Sequence, residues 1–347
     1  MKNKRVAGLD IIRALAVLFV ISVHYFKNTI FYSIPMTGKT MIILNSLRWL
    51  FFICVPLFML LTGYLSRNKE PNKEYFKGIK KVLISYLFIS IACIIVRIFY
   101  FKEKQRILYW LISPFNFTAD GYSWYIEMYI GLFLIAPFLN ILYKNLKDKK
   151  QKELLILVLL VLTGVPAMFN NYNILGLNKI EIFPNWWIDL YPITYYYIGS
   201  YIAEYKPKIK LSKGILYTTL ICFLQGLLHY LLCDKKSFSW NIYGGYGSII
   251  TVIISIIVFI TFYDKDIKNK FLNKIVTIIS LTSLDIYLLS FLVDKLFYPY
   301  IKTFANTPKK VALLFIPTII IVFSISFILA FIKKVLFDII KKNKKST

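Results

Sequence analysis

Residues 9–26, LDIIRALAVLFVISVHYF, form an apolar run long enough to cross a bilayer, yet it carries Arg13 in its first third and His24 near its end. Asp10 stands three residues before the arginine. An ionisable side chain at the centre of a membrane helix costs about 2.5 to 3.5 kcal/mol on insertion scales, so it needs a polar partner or a cavity. Helical geometry puts Arg13 and His24 on one face: eleven steps of about 100° return to within some 20° of the start, roughly 16 Å further along the axis. That rise is about half the hydrocarbon thickness. Asp10 is placed to pair with the guanidinium one turn away and to offset its burial. Arg13 alone reads as a snorkelling anchor. The aligned pair, in a chain with only two histidines, reads as a functional stripe. His229, near the outer end of a later span, reads as a structural hydrogen-bonding residue.

Outward from that run, the 347 residues are 58% hydrophobic, more than one soluble core needs, and the excess must face lipid. Ten apolar windows recur, at about 10–31, 41–66, 80–101, 123–143, 153–170, 188–205, 214–233, 246–263, 273–297 and 309–338. The expected fold is all-α, a polytopic membrane helix bundle of about ten transmembrane helices in a single domain over 1–347. The first window is too long for a cleavable signal, holds Arg13 and His24, and has no small-residue cleavage site before Lys27.

The net charge of +26 does not point to nucleic acid, because the cations recur in every second loop instead of clustering on one face. With the amino terminus inside, 28 Lys and Arg fall on the cytoplasmic side and 11 on the other, which places both termini in the cytoplasm. The terminal KKNKKST reads as an inner-face anchor. The longer outer segments, 102–122 and 171–187, carry Trp110, Trp186 and Trp187, which read as an interfacial aromatic belt. The four cysteines show no metal or redox spacing and read as small apolar packing groups. No Gly-x-Ser-x-Gly, P-loop or His-Glu-x-x-His motif occurs, and no metal is expected. Asp264 to Asp266, flanked by lysines, read as a solvated turn.

GLDIIRALAVLFVISVHYF, with Arg13 and His24 separated by ten residues, resembles the first helix of the membrane-bound acyltransferase-3 family. VPLFMLLTGYLSR resembles the end of that family's second helix, and YFKGIKKVLISYLF its basic approach to the third. SWYIEMYIGLFLIAPFL resembles its Trp-Tyr helix and LTSLDIYLLSFLV its late Ser-Leu-x-Ile-Tyr-Leu segment. The resemblance runs along nearly the whole chain. Two features depart from it. Lys77, Lys80 and Lys81 stand where members often have two arginines, keeping charge without the bidentate fork, and Ser290 stands where a late histidine is common.

The resemblance implies a membrane-bound O-acyltransferase that moves an acyl group, most commonly acetyl, from cytoplasmic acetyl-CoA to a hydroxyl of an extracytoplasmic glycan or lipid-linked sugar. Its partners would be membrane lipids and that acceptor, and its place a bacterial plasma membrane. His24 fits the base for the acceptor hydroxyl or the carrier of the acyl group, and Arg13 with Asp10 completes the catalytic candidates. Lys77, Lys80, Lys81 and Arg48 are candidates for the donor, and Trp124, Tyr125, Glu127 and Tyr287 for the acceptor. Asp285 is a further cavity candidate, whereas Arg97 reads as an end-of-helix anchor. A transporter of such a glycan, or a non-catalytic membrane subunit of its assembly system, remains the alternative reading of intramembrane charge.

Overall fold

The computed structural model describes residues 5–170, 181, 183–240 and 243–346, with side chains to residue 340. Lys2, Lys4, Lys179, residues 171–180 of the second outer segment and the side chains of the terminal lysines lie outside the described residues. Among the described residues there is no strand. The helices are α1 (Ala7–Asn28), α2 (Gly38–Phe52), α3 (Cys54–Ser66), α4 (Lys73–Lys77), α5 (Ile79–Phe99), α6 (Ile107–Ile112) and α7 (Trp124–Asn145). They continue with α8 (Lys149–Phe169), a 3₁₀ turn at Asn185–Leu190, α9 (Tyr191–Tyr205), α10 (Leu211–Leu232), α11 (Ile249–Phe262), α12 (Lys270–Phe304) and α13 (Pro308–Ser346).

Among the described residues, eight stretches are long and apolar enough to cross a membrane, and the shorter α9 and α11 fill the remaining two of the ten windows. The chain is an integral membrane protein. The second window is a broken rod: Ile53 sits at φ −72°, ψ 1°, between α2 and α3. Pro56 is the reason, since its ring has no N–H to offer the Phe52 carbonyl one turn earlier and displaces it. Asn72 caps α4 by accepting a hydrogen bond from the Tyr75 N–H at 2.9 Å. Asn269 caps α12 by accepting from the N–H groups of Phe271 and Leu272.

The helices form a centre and a rim. α1 packs against α12, α3, α2, α13 and α11, and most of its surface is buried. α3 and α9 touch backbone to backbone. A Cβ on Gly63 would collide with the Tyr196 carbonyl, and one on Gly199 with that of Leu60, so close approach requires glycine at both places. On the rim, Ile84, Phe88, Ile91 and Ile95 of α5 form an exposed stripe at spacings of four, three and four, a lipid-facing surface.

Two ion clusters fasten the bundle. Near the outer end of α5, Arg97 Nη2 lies 2.9 Å from Glu103, which also receives Lys295 Nζ at 2.6 Å, and Arg97 donates to the Ala119 carbonyl at 2.8 Å. These contacts fold segment 100–123 over the outer side of the bundle and against α12. Trp110, expected in the aromatic belt, is instead buried, with the Arg97 guanidinium 4.8 Å from its ring. Toward the inner side, Lys333 Nζ meets Asp285 Oδ1 at 2.6 Å, and Ser85 donates to the same carboxylate. Lys333 therefore belongs to the packed interior and not to the tail with which its position in the sequence groups it. Asp285, expected at a cavity, is spent on this pair, because it points toward α5 and α13 while its neighbours Ser283, Leu284 and Tyr287 face the interior cavity.

Removing one partner of a buried pair leaves the other charge stranded, at a cost of about 3 kcal/mol. Asp285→Ala is expected to lower the apparent melting temperature in detergent, and Asp285→Leu combined with Lys333→Met to recover most of the loss. A single variant as heat-resistant as the parent would contradict this role.

Candidate active site

The stripe read from the first helix faces inward. Arg13, Val20, Val23 and His24 line one cavity of about 240 Å³. α3 supplies Cys54, Phe58, Leu61 and Leu65 to the wall opposite, and α7 supplies Trp124, Tyr125 and Tyr129. Tyr246, from the segment before α11, and Tyr287 of α12 close it. The lining is mostly apolar between a cation at one end and an imidazole at the other. Exposed Leu65 lies at the cytoplasmic end by the charge asymmetry of the loops, and exposed Trp124 at the opposite end.

At the inner end, Asp10 does not serve Arg13 as its primary partner. Arg5 grips its carboxylate through Nε at 2.5 Å and Nη2 at 2.7 Å, and Ser280 Oγ donates to it at 2.6 Å. Arg13 Nη1 stays 3.8 Å away and donates weakly to Ser280 Oγ at 3.4 Å. Asp10 is buried and does not line the cavity, so its expected catalytic place is corrected to that of a structural anchor for the start of α1. The bidentate fork of Arg5 wins because its two donors each reach one carboxylate oxygen, and it leaves the Arg13 charge available to the cavity.

At the outer end, the His24 ring stacks on Tyr122 with centroids 3.7 Å apart and planes at 26°. Its Nδ1 lies 4.0 Å from Asp294 Oδ2 and has no hydrogen-bond partner among the described residues. Tyr122 Oη donates to the same Asp294 oxygen at 2.5 Å, and Asn28 Nδ2 at 3.3 Å. Tyr287 donates to the Tyr122 backbone carbonyl, and Asp120 accepts from the Tyr122 N–H at 2.9 Å, so the stacked ring is fixed from both sides. Trp124, 40% exposed, stacks on Tyr246 at 5.9 Å, and Tyr246 stacks on Phe52 at 4.5 Å.

The remaining candidates divide. Tyr125 and Tyr287 line the cavity with Trp124. Glu127 does not: two residues from both Tyr125 and Tyr129, it points about 200° away from them and is exposed. Lys77, Lys80 and Lys81 are exposed just before Val82, which lines the cavity, and Lys77 is paired with Glu74 at 2.6 Å. Arg48, expected at the donor, is fully buried among the rings of Trp49, Phe52, Phe238 and Trp240, at 4.0 to 4.9 Å. Phe238 and Trp240 belong to the segment between α10 and α11, which Arg48 holds by cation–π contact, and Arg48 does not line the cavity. His229 accepts at Nδ1 from Asn45 at 3.1 Å and donates from Nε2 to the Ser239 carbonyl at 2.9 Å.

Asp294 and Tyr122 were not among the sequence candidates. Asp294 is the one acidic residue from 286 to 304, within the apolar window at 273–297, and so a readable signal. In the fold it diverges from its neighbour Lys295, Asp294 toward α1 and Lys295 toward Glu103. Tyr122 comes from a loop and carries no local signal at all.

A family model described as an acyltransferase domain matches residues 6–334. No curated protein and no solved structure matches.

The cavity makes a prediction of its own. In a chain with its four cysteines replaced, Thr62→Cys, about one turn inside the cytoplasmic end of α3, is expected to react with a charged, membrane-impermeant thiol reagent in inside-out vesicles only. Ile84→Cys, on the lipid-facing stripe, is expected to stay unreactive. Labelling of Thr62→Cys from the outer side alone, or from neither, would contradict a cavity open to the cytoplasm.

Proposed function

The chain belongs to the membrane acyltransferase-3 family, and on that premise we propose that it transfers an acyl group, acetyl foremost, from cytoplasmic acyl-CoA to a hydroxyl of an extracytoplasmic glycan or lipid-linked sugar. The observation that carries this reading is one cavity lined by Arg13 toward one end and His24 toward the other, ends that the charge asymmetry of the loops assigns to the cytoplasm and the outside. Donor and acceptor approach from opposite faces of the membrane, and the chemistry needs one point that both reach.

Magnitudes assign the roles. Arg13 is roughly 16 Å along α1 from His24, too far to stabilise charge at a carbonyl beside the imidazole. Its guanidinium suits the charged end of the donor, with Lys80 and Lys81 drawing the phosphates to the membrane surface. An extended phosphopantetheine arm covers the distance between them, and its methyl groups and methylenes match the Val20, Phe58 and Leu61 lining. His24 then meets the thioester. The acceptor hydroxyl oxygen bonds to the thioester carbonyl carbon while the imidazole takes its proton. The carbon–sulfur bond breaks, and the imidazolium returns the proton to the departing thiolate, giving ester, free CoA and the starting enzyme. On the outer side, exposed Trp124, backed by Tyr246, offers a ring face on which the C–H face of a sugar stacks.

Purified protein given acetyl-CoA is expected to release free CoA only when a surface glycan or lipid-linked sugar fraction is added. His24→Ala is expected to lower that rate by roughly 10²- to 10⁴-fold with insertion unchanged. Lys80→Ala with Lys81→Ala is expected to raise the KM for acyl-CoA roughly three- to tenfold, as the loss of two exposed charge contacts implies. Acceptor-dependent CoA release that survives His24→Ala would refute the proposed base.

A further inference from the structure

We infer that Asp294 is the positioning residue for His24, holding the imidazole in the tautomer that carries its proton on Nδ1 and leaves Nε2 free for the acceptor hydroxyl. The inference rests on His24 acting as proposed above, but its geometric basis is separate. His24 Nδ1, buried and without a hydrogen-bond partner among the described residues, lies 4.0 Å from Asp294 Oδ2, and the other oxygen of that carboxylate, Oδ1, is likewise buried and unpaired. Buried polar groups are nearly always paired, so an orphaned imidazole nitrogen this close to a carboxylate that still has an unused oxygen marks a contact the working site makes. A movement of about 1 Å by either side chain brings them to hydrogen-bond distance.

The donors already present decide the direction of that bond. Asp294 Oδ2 accepts from Tyr122 Oη and from Asn28 Nδ2, so the oxygen facing the ring is an acceptor, and the nitrogen opposite it must donate. The ring is also restrained out of its plane. Tyr122 stacks on it, and Tyr122 is itself held by Tyr287 through its carbonyl and by Asp120 through its N–H. Lys295 ties the loop that carries Tyr122 to α12 through Glu103, one residue beyond Asp294. One helix turn thus presents Asp294 to the histidine and Lys295 to the loop that covers it. A carboxylate placed behind a histidine fixes which nitrogen is basic without touching the substrate.

The protein's two histidines make the test direct. His229 donates from Nε2 to the Ser239 carbonyl and accepts at Nδ1, so it carries the opposite tautomer and serves as an internal reference. ¹⁵N-histidine NMR of the full chain in detergent or lipid is expected to show one Nδ1–H and one Nε2–H ring, with the Nδ1–H signal absent in His24→Ala. In Asp294→Asn the His24 ring is expected to shift toward Nε2–H. Its kcat is expected to fall roughly 10²- to 10⁴-fold while the KM for acyl-CoA stays within about twofold. Tyr122→Phe, which keeps the stacked ring and removes one donor to Asp294, is expected to lower kcat less and to leave the tautomer in place. An Nε2–H ring for His24 in the parent protein, or an unchanged tautomer or unchanged kcat in Asp294→Asn, overturns the assignment. If the parent protein transfers no acyl group, the proposed function fails, while the tautomer comparison still decides whether Asp294 sets the ring.

Discussion

An ionisable group inside hydrocarbon must be paired or must face a polar space, at a cost of a few kcal/mol if it does neither. α1 places three such groups along one rod, and the bundle satisfies each differently. Asp10 is closed off by Arg5 and Ser280. Arg13, left without a tight partner, faces the cavity. His24 faces the same cavity, wedged between Tyr122 and Asp294. The need to supply these environments explains why α1 sits at the centre, with α3, α7 and α12 as the walls around its polar face.

The same rule sorts the other charges. Asp285 with Lys333, and Glu103 with Arg97 and Lys295, are saturated by one another and hold helices or loops in place. Arg48 is packed among aromatic faces and makes one hydrogen bond, from Nε to Tyr32 Oη at 3.3 Å. Charges that are paired away from the cavity build the scaffold. The groups that line the cavity, the Arg13 cation and the imidazole of His24, are the ones left available for chemistry.

How much of this was legible in the sequence depended on how local each cause was. The ten apolar windows reappear as helices, since a bilayer fixes both the length and the polarity of what crosses it. The inward stripe of α1 followed from helical arithmetic alone. The break at Ile53 has a local cause in Pro56, but a continuous apolar run concealed it. Partner choice was less legible. Asp10 could pair with Arg13 by spacing, yet Arg5 reaches it with better geometry. Asp285 and Glu127 are both acidic residues in apolar surroundings, and nothing local says that one meets Lys333 while the other faces outward. Tyr122 and Asp294 reach His24 only through the packing of a loop and of α12, 98 and 270 residues further along the chain.

The most direct measurement of the central claim is an experimental structure of the protein in lipid with a non-hydrolysable acyl-CoA analogue. The phosphates are expected beside Arg13 and the Lys80–Lys81 surface, with the arm threading past Val20 and Leu61 and its thioester carbon beside His24 Nε2. An analogue that enters from the Trp124 side, or that binds with its carbonyl remote from His24, would contradict a cavity that joins a cytoplasmic donor to an external acceptor.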